Sequence, residues 1–249
     1  MFLSVQYGLL LGAGLAPLNT SYTCHPTCIP STVTNNDLVF DGRLAFLNLD
    51  LVNAFVEPIA MRHEGREWIS SVKCWIEALH NLGSPLIIFT RPYFSSAWQP
   101  ELGPDSPFRG PAGKIGTAED VKTMIYPSFH VKPAAGDVVL QKTGYSASTS
   151  NSLEQILHAQ SIDAVVLSGV RTGGAVASTA YRLFDLGYKV YIIANNTIEI
   201  EDSGNDDNAA LLSKALPKLP VGIITLKQAL QGLKRGRTAG RLMDDFPST

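Results

Sequence analysis

Two polar residues close apolar runs in this chain, and both belong to types that can move a proton or hold a charge. Asp50 ends "GRLAFLNLD", and Lys142 ends "DVVLQK" before "TGYSAS". A carboxylate at the end of an apolar strand is poorly solvated, which raises its pKa and favours the acid form. A Lys⁺ brought to the same place opposes that desolvation and keeps the carboxylate ionised. Each residue alone has a plainer reading, Asp50 as the cap of the following turn and Lys142 as a surface lysine at a strand exit. Together they predict a charged pair at one rim of a sheet, delivered by strands that can be neighbours.

The third candidate is "SGVRTGGAVASTAYRLFDLGYKVYII", residues 168–193, which reads as a strand end, a glycine turn and a helix start. Thr172 suits the N-cap, and Gly173 and Gly174 let the backbone approach a ligand closely. The amides of the first helical turn then form an anion or oxyanion site at the positive end of the helix. Arg171 precedes that turn and is placed to clamp a substrate carboxylate, or else is a solvated loop arginine. Where a nucleophile would stand, the chain has Ala175.

These positions need a frame, and the apolar pattern supplies one. Runs at 42–50, 84–90, 137–142, 163–169, 189–195 and 221–226 are apolar without alternation, as expected for strands covered on both faces. Between them, "EWISSVKCWIEALHNLG" places Trp68, Ile69, Val72, Trp75, Ile76 and Leu79 at helical spacing and closes at Gly83. "STSNSLEQILHAQ", "TGGAVASTAYRLFDLG" and "NDDNAALLSKAL" read likewise. The alternation predicts a three-layer, Rossmann-like α/β fold with a six-stranded, mainly parallel sheet flanked by helices. Ligands then bind at the C-terminal rim of the strands. Residues 91–136, rich in Pro, Gly and Ser, interrupt the pattern and are expected to cover one side of that rim.

The chain divides into an N-terminal extension (1–41), one domain (42–233) and a tail (234–249) expected to be mobile or used in subunit contacts. At 249 residues, with 45% apolar and 17% charged side chains, one domain with a sizeable core is expected. A net charge of −2 gives no basic groove, so no nucleic-acid partner is expected. The first 36 residues carry no Lys, Arg, Asp or Glu and resemble a secretory signal without a positive start. A surface extension and a cleaved signal remain equal alternatives there, and a membrane span is not expected. The compartment stays open between cytoplasmic and secreted. Asn19 and Asn195 lie in short sequons that arise often by chance. Three cysteines cannot make a disulfide framework, so an unstapled core is expected. Cys24, His25 and Cys28 in "CHPTC" lack a second pair to complete a metal site.

Taken in register, "LAFLNLDLVNAF", "DVVLQKTGYSA" and "LSGVRTGGAVASTAYRLFDLGYKVYII" resemble the isochorismatase-like hydrolase superfamily over roughly residues 42–226. The resemblance implies a six-stranded parallel sheet, with Asp50 and Lys142 as catalytic residues and Arg171, Thr172, Gly173 and Gly174 as substrate-binding residues. It places Ala175 where the amidase branches carry a nucleophilic Cys. It also implies a small-molecule substrate and a homo-oligomer. "LVNAF" lacks the Gln and second Asp usual after the first strand, and "TRPYFSSAWQP" lacks the Asp/His ligands of nicotinamidases. No metal and no cofactor are therefore implied. Cys74, far earlier in a helical stretch, is no substitute for the missing thiol.

Members that hydrolyse isochorismate also have a small residue at the Cys position. Their vinyl-ether cleavage needs a protonated Asp and water, with no covalent intermediate. That makes a hydrolase of a small anionic substrate, isochorismate foremost, the leading expectation. A silent member that binds a metabolite or protein, and a Cys-to-Ala form of an amidase, are the alternatives.

Overall fold

The computed structural model describes residues 38–82, 85–113, 115–200 and 204–238. Six strands form one sheet: β1 (Leu44–Leu49), β2 (Leu86–Pro92), β3 (Val138–Lys142), β4 (Ala164–Val170), β5 (Lys189–Ile198) and β6 (Gly222–Ile224). Their order is β3-β2-β1-β4-β5-β6, and every pairing is parallel. The helices are α1 (Asn53–Ala60), α2 (His63–His80), α3 (Arg109–Ala112), α4 (Leu153–Ala159), α5 (Ala177–Asp185), α6 (Gly204–Ala210) and α7 (Leu226–Thr238).

The unbroken apolar runs follow from burial on both faces. Along β1, Leu44 and Phe46 join a core with Trp68, Val72, Trp75 and Leu79 of α2 and Leu233 of α7. Ala45, Leu47 and Leu49 join the opposite core, with Leu153 and Leu157 of α4 and Leu183 of α5. Successive side chains alternate faces, yet both faces are dry, so polarity does not alternate. Trp75 meets Phe46 edge to face at 5.7 Å, which locks α2 onto the centre of the sheet.

The strand order reverses between β1 and β4, the switch point where such sheets bind ligands. There Leu49 pairs with Gly169. Gly169 has φ +132°, and a Cβ on it would lie 2.2 Å from the Leu49 carbonyl oxygen, so only glycine fits where the two strands end.

Several expectations change. α1 is not signalled by the periodicity, because Pro58 sits inside its single short stretch. The boundary set at Leu233 falls within α7, which continues to Thr238; the rest of the expected tail (239–249) and residues 1–37 lie outside the described residues. Cys74 is disulfide-bonded, so the expectation of an unstapled core does not hold. Three cysteines are too few for a framework but enough for one crosslink. Cys24, His25, Cys28 and Asn19 lie outside the described residues.

Residues 91–136 have little regular structure but many anchors. Arg91 donates through Nε to the Thr123 carbonyl (2.6 Å) and through Nη2 to Thr123 Oγ1 (3.0 Å). Gln99 Nε2 donates to the carbonyls of Ala112 and Ile115, both at 3.1 Å. Phe94, Ala112 and Ile115 make a small apolar cluster of their own. Side chains reaching backbone carbonyls replace the ladder bonds that this segment lacks.

Candidate functional site

Asp50 is the residue immediately beyond β1, and the chain turns there through φ +56°. This left-handed conformation is unfavourable for most side chains and least so for Asp and Asn. The turn is held by the Val52 amide, which donates to the Asp50 carbonyl at 2.7 Å. It is also held by the Asp50 amide, which donates to Thr90 Oγ1 at 3.1 Å. The Thr90 hydroxyl in turn donates to Asp50 Oδ1 at 2.6 Å.

Lys142, the last residue of β3, brings Nζ to 2.6 Å from Asp50 Oδ2. The same Nζ donates to the Tyr145 carbonyl at 2.7 Å. The two side chains are 7% and 2% exposed, Asp50 and Lys142 respectively, so this is an ion pair almost without water. Burial pushes the Asp50 carboxyl above its ordinary value; the Lys142 charge and hydrogen bond and the Thr90 hydrogen bond pull the other way. A raised value moves the carboxyl towards its acid form, the form that can donate a proton.

The sequence pattern anticipates this juxtaposition but not its route. β1 and β3 are not neighbours: β2 lies between them. Lys142 therefore crosses the end of β2, and Thr90 of that middle strand becomes part of the site. A polar residue closing the apolar run "LIIFT" is the same signal that singled out Asp50 and Lys142.

On the other side of the switch point, Thr172–Val176 form a single π-helical turn that runs into α5. Thr172 is not the N-cap. That position falls to Arg171, which makes no side-chain cap bond, and the Thr172 hydroxyl donates instead to Asn208 Oδ1. The cap comes from β5's exit: Glu199, 4% exposed, accepts the Gly173 amide on Oε1. Its other oxygen lies 3.0 Å from Arg171 Nε. A carboxylate at the head of a helix and a guanidinium beside it satisfy both the helix charge and each other. Arg171 and Gly173 are thus joined through Glu199, which the sequence reading missed. Its signal was its place, the acidic residue that directly follows β5.

Gly174 is closely covered, since a Cβ there would meet Arg171 Cγ at 2.7 Å and Tyr145 Cε1 at 3.1 Å. Tyr145 also packs edge to face on Phe108 of the 91–136 segment, with ring centroids 5.1 Å apart. Through its carbonyl and its ring, Tyr145 connects Lys142 to the glycine turn and to the cover. Ala175, 2% exposed, packs in the same core as Leu49 and Leu167. Among the described residues no three His, Cys, Asp or Glu side chains group as metal ligands, and no helix is long and apolar enough to cross a membrane.

A parallel three-layer domain with a buried Asp–Lys pair beside its switch point defines a class before any comparison is made. The isochorismatase domain model matches residues 44–216, and the chain belongs to that family, whose members are hydrolases. The chain is 33% identical over 104 residues to a maleamate amidohydrolase of Pseudomonas putida, covering 42% of this chain and 47% of that one. It is 34% identical over 70 residues to a ureidoacrylate amidohydrolase of Variovorax paradoxus, 28% of each. The matched stretch thus spans less than half the length of either relative. Among solved structures, a cysteine hydrolase from Pseudomonas syringae pv. phaseolicola superposes with a TM-score of 0.66 at 15% identity, covering 77% of this chain and 92% of that one. An N-carbamoylsarcosine amidase from Thermoplasma acidophilum gives 0.57 at 21%, covering 74% and 97%. At these identities the structural likeness speaks for the fold.

Proposed function

We propose that the protein hydrolyses a small anionic substrate by direct proton transfer from Asp50, with no covalent enzyme intermediate. The observation that carries this reading is an intact, buried Asp50–Lys142 pair in a domain whose helix head presents Ala175 instead of a thiol. The leading substrate class is an isochorismate-type vinyl ether. Asp50, whose acid form is favoured by burial, gives its proton to the terminal vinylic carbon. Water adds to the resulting oxocarbenium carbon and returns a proton to Asp50. The hemiketal then collapses, releasing pyruvate and the ring diol. Lys142 remains the ammonium and stabilises the Asp50 carboxylate that exists while the proton is on carbon, and the part-exposed Arg171 guanidinium orients the substrate's carboxylate. Purified protein is expected to release pyruvate from isochorismate, read by a coupled lactate dehydrogenase assay. Absence of release at high enzyme concentration removes this substrate.

A second reading is favoured by the amidohydrolase names of both relatives. An amide of similar size would occupy the same rim, but the thioester route lacks its nucleophile. Under this reading Ala175→Cys is expected to raise hydrolysis of maleamate or ureidoacrylate from background by at least about a hundredfold, followed by ammonia release. A variant that stays at background on both amides excludes it.

A further inference from the structure

Thr90 is fully buried on β2, the strand that separates Asp50 from Lys142. Its hydroxyl has one proton to give. Oγ1 already accepts the Asp50 amide at 3.1 Å, and the proton is directed at Oδ1 of the same residue at 2.6 Å. That separation is in the range of a charge-assisted hydroxyl–carboxylate bond. Threonine is also stiff at χ1, so a hydroxyl fixed by two bonds cannot swing to another partner. The opposite oxygen, Oδ2, faces the Lys142 ammonium, which is itself fixed by the Tyr145 carbonyl. The two oxygens of Asp50 are therefore not equivalent.

We propose that Thr90 is a positioning residue for the proton transfer assigned above to Asp50, holding Oδ1 so that Oδ2, beside the Lys142 ammonium, is the oxygen that exchanges the proton. This deepens that reading and rests on it. The hydroxyl stabilises the carboxylate and fixes both the side-chain rotamer and the left-handed turn that carries it. A valine at this position has nearly the same shape. It leaves the Asp50 amide and Oδ1 without their shared partner.

The test is the titration of Asp50, followed by NMR on protein with isotope-labelled aspartate carboxyls, the signal being assigned by its loss in Asp50→Asn. Thr90→Val is expected to raise the Asp50 midpoint by at least about one pH unit. Thr90→Ser, which keeps the hydroxyl and loses the methyl, is expected to stay near the parent value. An unchanged midpoint in a folded Thr90→Val protein overturns the proposal. So does a Thr90→Ser shift as large as that of Val, which would assign the effect to packing. Should Thr90→Val fail to fold, the parent protein decides: its Thr90 hydroxyl proton is expected as a resolved, slowly exchanging resonance, and its absence overturns the assignment. The titration uses no substrate. Failure to release pyruvate therefore counts against the reaction, and an unmoved midpoint counts against Thr90.

Discussion

Asp50→Asn is expected to lower pyruvate release by about a thousandfold or more, within the range that one well-placed acid–base group supplies. Asn preserves the shape of the side chain and can still accept the Thr90 hydroxyl proton on its carbonyl oxygen. It has no proton to exchange with carbon or water. The accompanying change in product affinity is expected to be small, because the substrate's carboxylate is assigned to Arg171. The pH profile of the parent gives a second reading of the same group. Burial raises the folded-state value above the ordinary 3.8. A general acid with a raised value is active below it, and kcat/KM falls about tenfold per pH unit above it. Residual turnover within tenfold of the parent, in a variant whose thermal melt shows a folded protein, would assign the proton to another group.

The order of elements and the site's membership were legible to different degrees. Strands covered on both faces leave long apolar runs that few other elements make, so all six strands were found within a few residues of their ends. α1 was missed because Pro58 and its brevity hide the period, and α7 because its polar face dominates the sequence after Leu233. Asp50 and Lys142 stood out because each ends an apolar run, where burial of charge requires a reason. Thr90 ends one too, but a threonine in a strand is unremarked, since the residue type is at home there. Glu199 was passed over for a different reason. Its partners, Gly173 and Arg171, lie 26 and 28 positions earlier in the chain, and only the β4–β5 pairing brings them together. Strand order was the missing information. Knowing that β2 lies between β1 and β3 makes Thr90 a member of the site, and no local pattern supplies that order.

Lys142→Met is expected to be the most damaging single change to stability. The ammonium is 2% exposed and its partner 7%, so removing it leaves a carboxylate buried without its counter-charge. Breaking such a pair from one side costs about 3–5 kcal/mol, mostly as the uncompensated desolvation of the remaining ion. The size of the loss depends on pH in a direction that can be worked out. Asp50 already has a folded-state value above 3.8 through burial, and removing Lys142 removes the largest opposing influence, so the value rises further. With the folded value above the unfolded one, the folded state binds the extra proton between the two. Stability then falls as pH rises through that window. The deficit of Lys142→Met against the parent is accordingly greatest at neutral and alkaline pH and shrinks on acidification, as Asp50 takes up a proton in both proteins. Chemical denaturation at two pH values reads this directly. Adding Asp50→Asn to Lys142→Met removes the second charge and is expected to recover a large part of the loss at neutral pH, while turnover stays absent. A deficit that is equal at both pH values, or a double variant no more stable than Lys142→Met, would mean that the lysine stabilises the rim by packing its stem across β2 and not by its charge.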